Sequence, residues 1–168
     1  MKITRSLRGF TLIELLIVIA IIIILASVVF VALDPAQRFQ DARDARRSSD
    51  VVELLHAIKL NQVDNSGTYI SAISGLTDAS VYMIGTATTG CTANNAYCDT
   101  AVTATGSCAD LSALVTQGYI GSLPTSPNGA GTWTSSLSGY TITRNASAGT
   151  ITVRACESEN TTEIKATR

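Results

Sequence analysis

The chain has 168 residues, with 12 basic and 13 acidic side chains, one His, four Cys and three Pro, for a formal charge of −1. That length holds one domain of ordinary size plus an extension, and the near-zero charge excludes a strongly basic nucleic-acid binder. With one His and no Ser-His-Asp set, glycine-rich phosphate loop or isolated carboxylate pair, there is little on which to build an enzyme.

Residues 1–9, MKITRSLRG, carry Lys2, Arg5 and Arg8 and no acid. Residues 10–33, FTLIELLIVIAIIIILASVVFVAL, are apolar except for Thr11, Glu14 and Ser27. As a helix these 24 residues would run about 36 Å, enough to cross a hydrocarbon core of about 30 Å. The basic flank places the N-terminus in the cytoplasm and the remainder outside. A cleavable secretory signal has a shorter apolar core, about 7–15 residues, with a small-x-small site after it; Phe30-Val31-Ala32-Leu33 offers no good one. A plain single-pass anchor accounts for length and orientation but not for Glu14. A carboxylate in a lipid-spanning helix costs about 2–3 kcal/mol unless it lies shallow among the headgroups, so it reads as functional by default.

The string of basic leader, Gly9, Phe10, Thr11, Leu12, Ile13 and Glu14 followed by the aliphatic run resembles the N-terminus of type IV pilins and type II secretion pseudopilins. The resemblance is close over residues 5–33 and beyond that is one of general architecture. It implies that a membrane prepilin peptidase and methyltransferase cuts Gly9–Phe10 on the cytoplasmic side and N-methylates Phe10, with Glu14 as the family's glutamate. It also implies an inner-membrane assembly platform, an assembly ATPase complex, the inner membrane and further copies of the chain as partners, with no cofactor. The implied organisation is a leader at 1–9, a membrane and filament-core helix at 10–33, an amphipathic helix at 34–63 and an extracytoplasmic head at 64–168. The precursor would be a single-pass membrane protein and its product a cell-surface filament.

Physical chemistry supports this arrangement independently. Loss of the leader leaves 159 residues with nine basic and 13 acidic side chains, and frees an amine at Phe10 one helical turn from Glu14. An amine and a carboxylate are each costly in lipid but compensate one another when paired across neighbouring subunits, so Glu14 is expected to set axial register. Extracted from lipid, the same helix must bury itself against copies of itself, each Val, Ile or Leu contributing about 1.5–3 kcal/mol.

Asp34-Pro35 interrupts the run, and Pro35 predicts a kink or a helix restart capped by Asp34. Residues 36–63 read as a second helix. Its charges fall at helical spacing (Asp34 with Arg38, Asp44 with Arg47, Arg46 with Asp50) and read as a solvated face. Val51, Leu54, Leu55 and Ile58, with Leu60 and Val63 at the margins, form an apolar stripe that calls for a sheet against it. His56 has no ligand partner at suitable spacing and reads as a boundary residue. Asn65-Ser66-Gly67 supplies turn chemistry to end the helix.

The remainder is rich in Ser, Thr, Gly and Ala, with a modest core supply in Tyr82, Met83, Ile84, Leu111, Leu114, Val115, Tyr119 and Ile120. A short helix is expected over Asp110–Gln117, capped by Asp110 and closed by Gly118. Tyr140–Arg144 and Thr150–Ala155 alternate strictly around Asn145–Gly149, a hairpin signal. A long helix followed by antiparallel strands is an α+β fold, pilin-like by analogy.

Cys91, Cys98, Cys108 and Cys156 all fall in the exported part and point to two disulfides, for which Cys91–Cys98 and Cys108–Cys156 is the expected pairing. The Gly118–Gly129 region is similar to one in the major type II pseudopilins, which bind calcium through acids in the following loops. Ser126 stands where an aspartate is usual, no acid occurs between Asp110 and Glu157, and no calcium is expected. The sites Asn145-Ala-Ser147 and Asn160-Thr-Thr162 match the N-glycosylation pattern, which arises readily by chance in a Ser/Thr-rich chain. The basic side chains Arg144, Arg154, Lys165 and Arg168 are too few and scattered for specific nucleic-acid binding. The leading expectation is a structural pilin; the alternatives are a pseudopilin of a secretion or DNA-uptake machine and a minor adhesive subunit at a filament tip.

Overall fold

A computed structural model describes residues 9–168, except for the side chains of residues 32 and 33. Two compact units divide it, the first ending at Phe39 and the second spanning Gln40–Arg168.

The first unit is built on α1 (Leu12–Leu33), whose described side chains are all exposed. At 22 residues it is about 33 Å long, and it is long and apolar enough to cross a membrane. Ser27 ties its hydroxyl to the Ile24 carbonyl at 2.7 Å, so the mid-run hydroxyl is satisfied within the helix. Asp34, with φ of 36°, ends α1 in the left-handed region that Asp tolerates better than most residues. Pro35 then opens α2 (Pro35–Asp64) at the one helical position where its missing N–H costs nothing, and Asp34 Oδ1 accepts the Gln37 N–H at 3.3 Å.

In the second unit α2 continues to Asp64 and ends as Ser66 and Gly67 take positive φ (56° and 87°), the Gly67 N–H bonding back to the Gln62 carbonyl at 2.8 Å. Short helices α3 (Ser71–Ser74) and α4 (Ser112–Thr116) and a four-stranded antiparallel sheet complete it. The strands are β1 (Val81–Met83), β2 (Tyr140–Asn145), β3 (Thr150–Ala155) and β4 (Lys165–Thr167), in that spatial order. The fold is α+β and pilin-like, with helix before sheet. β2 and β3 pair from Tyr140–Ala155 to Asn145–Thr150, the hairpin announced by the alternation in the sequence.

Val51, Leu54, Leu55, Ala57 and Ile58 of α2 bury against Tyr140, Ile142, Ile151, Val153 and Ala155 of the sheet, with Leu111, Leu114 and Ile120 closing the core. Leu60 and Val63 lie exposed on the other side of the helix. Asp110 takes up its capping role one residue early: its carboxylate accepts the Ser112 N–H at 2.9 Å, while Leu111 occupies the cap position.

The disulfides differ from expectation. Cys91 pairs with Cys108 and Cys98 with Cys156. A smaller apolar cluster of Met83, Val102 and Trp133 surrounds Cys91, Cys108 and Cys156. A turn and the 3-10 segment Asn95–Tyr97 carry Cys98 away from Cys91 and towards the end of β3, where the Asp99 N–H bonds the Cys156 carbonyl at 2.6 Å. Placement of the chain against the sheet, not sequence proximity, decides the pairing.

Candidate functional site

Two groups of polar residues stand out, one in each unit. At the start of α1, Thr11 is the N-cap. Its hydroxyl accepts the Glu14 N–H at 3.3 Å, and the Glu14 carboxylate receives the Thr11 N–H at 2.8 Å and the Thr11 hydroxyl at 2.7 Å, a reciprocal capping box. The same geometry engages four polar groups at the start of an otherwise apolar helix. Phe10 precedes the cap in non-helical chain and is 87% exposed, and a Cβ added at Gly9 would meet nothing within 4 Å. The Gly9–Phe10 bond is therefore sterically accessible, and Phe10 and Glu14 flank Thr11 within a single turn. Residues 1–8 of the leader lie outside the described residues.

In the second unit the charges on the first part of α2 are a solvated face only in part: Asp41 and Arg46 are exposed, whereas Asp44, Arg47 and Asp50 are buried. Arg47 is fully buried. Its Nη1 donates to Asp44 Oδ1 at 2.8 Å and Glu159 Oε1 at 2.7 Å, its Nε to Ser126 Oγ at 3.1 Å and its Nη2 to the Pro127 carbonyl at 3.0 Å. Glu157 Oε2 lies 3.3 Å from Nη2. Around this hub Arg43 makes a fork to Glu159, and Asp44 accepts the Glu159 and Asn160 N–H groups at 3.0 and 2.8 Å. Glu157 in turn accepts the Ala130 N–H at 2.5 Å and the Trp133 indole N–H at 3.2 Å. Three chain segments, α2, the 126–131 loop and the stretch after β3, are thus held by one cation. Ser126, the residue that stood in the way of a calcium reading of this loop, accepts from Arg47 Nε. The guanidinium supplies the positive charge on which these carboxylates converge, and among the described residues no His, Cys, Asp and Glu group is arranged to hold a metal ion.

The electrostatics follow from this geometry. Hydrogen bonds from Arg43, then Arg47, hold the Glu159 carboxyl at about 2, well below the usual range. Lys165 and then Arg154 lower Glu163 in the same way. Asp50 accepts the Tyr140 phenol at 2.5 Å, and burial, reinforced by that carboxylate, pushes the phenol far above its ordinary value. His56 is exposed on α2 with no part in the network.

Sequence reasoning singled out Gly9, Phe10, Glu14, Pro35 and the four cysteines as candidates and missed the Arg47 hub. Its signal was there in outline: Asp44 and Arg47 at helical spacing and three acids within 157–163 of an otherwise charge-poor region. Spacing along one helix cannot show that a distant segment returns to cover it.

A family model described as the prokaryotic N-terminal methylation motif matches residues 4–30. No curated protein and no solved structure matches the chain.

Proposed function

We propose that this chain, whose residues 4–30 form a prepilin segment of the type IV pilin and pseudopilin kind, is the precursor of a structural subunit that polymerises through α1 into a pilus-like filament. A segment of this type marks a substrate of a prepilin peptidase and a membrane-anchored precursor. The observation that carries the reading is the join of that segment to a 22-residue apolar helix with no buried face of its own. Such a helix is soluble only in lipid or against other apolar helices.

The sequence of events follows from the chemistry of the N-terminus. Cleavage of Gly9–Phe10 removes Lys2, Arg5 and Arg8, the charges that hold the leader on the cytoplasmic side. It creates an amine at Phe10 beside Glu14. Before assembly the Glu14 carboxylate is answered by Thr11 within its own helix; in the filament it pairs with the Phe10 amine of a neighbour, which fixes the axial step. The head at 64–168 decorates the outside, and its two disulfides suit an oxidising compartment. Those disulfides and the absence of calcium-ligating acids favour a surface pilus over a short secretion pseudopilus.

The test is electron microscopy of cells and of sheared material with an antibody to the head. Long surface fibres labelled along their length support the reading; label confined to the cell envelope assigns the chain to a pseudopilus, and label at fibre tips alone to a minor subunit.

A further inference from the structure

The two Asn-x-Ser/Thr sites, equivalent in sequence, are not equivalent in the fold. Asn160 lies in the segment clamped to α2. Its Nδ2 donates to Asp41 Oδ1 at 2.7 Å and its backbone N–H to Asp44 at 2.8 Å, so its amide nitrogen is engaged and its backbone fixed against a helix. Asn145 is the opposite case. It forms the last rung of the β2–β3 hairpin, paired with Thr150, and residues 145–149 at the tip are all exposed. Its Oδ1 accepts the Ser147 hydroxyl at 3.0 Å and the Ala148 N–H at 3.0 Å. Both bonds are made by the carbonyl end of the amide. Nδ2 donates to none of the described residues.

We propose that Asn145 is an acceptor of an N-linked glycan, taken from a lipid-diphosphate-linked oligosaccharide, and that Asn160 is not. The proposal rests on the export of the head argued above. An amide nitrogen is a poor nucleophile and the transferase supplies its activation; the fold supplies presentation. The hairpin tip exposes Asn145, the two bonds to Oδ1 hold the amide by its carbonyl end, and the Ser147 hydroxyl sits against the same amide, so both groups of the motif are offered together. In the transfer the Nδ2–C1 bond forms as the C1–O bond to the diphosphate breaks, one Nδ2 proton passes to a base of the transferase, and the lipid diphosphate leaves. Ala146 between them adds only a methyl group, and its N–H donates to Asp78 Oδ1.

Trypsin separates the two sites, since cleavage after Arg144, Arg154 and Lys165 yields peptides 145–154 and 155–165. Mass spectrometry is run on full-length protein purified from the producing cells, with cysteine pairing read from the same sample. The expected result is a sugar mass on 145–154 and none on 155–165, lost in Asn145→Gln and Ser147→Ala and kept in Ser147→Thr, which preserves the hydroxyl. An unmodified 145–154 peptide in protein whose Cys98–Cys156 bond has formed overturns the proposal while leaving export intact. Sugar that persists in Asn145→Gln, or that sits on Asn160, overturns it as well. Free thiols with an intact leader would instead refute the export reading itself.

Discussion

A guanidinium sealed from water is tolerated only when its charge and its N–H groups are answered, and at Arg47 the partners come from its own helix, the 126–131 loop and the stretch after β3. Removing one member of such a buried set strands the others, at a cost of about 3–5 kcal/mol. Arg47→Met should therefore destabilise the head by that amount, because Asp44 and Glu157 then lose their cation and Glu159 keeps only Arg43. Unfolding followed by fluorescence of Trp133, the only tryptophan and a partner of Glu157, reads the loss. Arg47→Lys should recover only part of it, since an ammonium cannot span the same directions. Gly129 is tied to this hub: a Cβ there would lie 2.2 Å from Glu157 Oε1 and 3.0 Å from Arg47 Nη2, so Gly129→Ala should destabilise through the same contacts. The acid response has a defined sign. Glu159, at about 2 when folded, and Glu163, also lowered, bind protons less readily in the folded head than in the unfolded chain. Their stabilisation is present above the ordinary carboxylate range and disappears as pH falls from about 5 towards 2. Tyr140 acts at the other end: its raised phenol keeps its proton when folded, so stability is full below about pH 10 and declines above it. Ultraviolet titration should find Tyr140 ionising only on unfolding.

At the scale of elements, the sheet and α2 meet along a face that was legible in the sequence. The spacing of Val51, Leu54, Leu55 and Ile58 marks a helix face, and the strict alternation of Tyr140–Arg144 and Thr150–Ala155 marks the hairpin, because both periods are imposed by burial on one side. Leu54, with no exposed surface, should cost about 2–5 kcal/mol when changed to Ala. The outer strands were not legible: β1 and β4 have three residues each, too few for a period to show, and are recruited by the hairpin edges. Nor was the cysteine pairing, which depends on where a charge-poor, irregular stretch lies in space. Closing loops with sequence separations of 17 and 58 residues contributes about 3 and about 4 kcal/mol by chain entropy. An Asp-N digest without reduction should hold peptides 78–98, 99–109 and the one bearing Cys156 in a single three-peptide species; a 78–98 peptide closed on itself would restore the Cys91–Cys98 pairing expected from the sequence.

For the molecule as a whole, stability and assembly reside in different parts. The head carries its own core, charge hub and disulfides, whereas α1 has no buried described side chain, and on the proposed function its packing is left to lipid or to a polymer. Changes in the hub should therefore lower the amount of folded subunit without altering filament geometry, while changes at Glu14 should do the reverse. Glu14→Ala should leave the head folded, its disulfides formed and the leader cleaved, yet reduce filament yield by an order of magnitude or more, read by shearing and immunoblotting (about 1.4 kcal/mol per tenfold). The central claim is that Gly9–Phe10 is the bond at which a membrane precursor becomes a polymerising subunit. Intact-mass and N-terminal peptide analysis of filament material tests it most directly. The expected chain begins at Phe10 and bears one methyl group on its amine; a chain beginning at Met1, or cut near Ala32, would overturn Gly9–Phe10 as the processed bond.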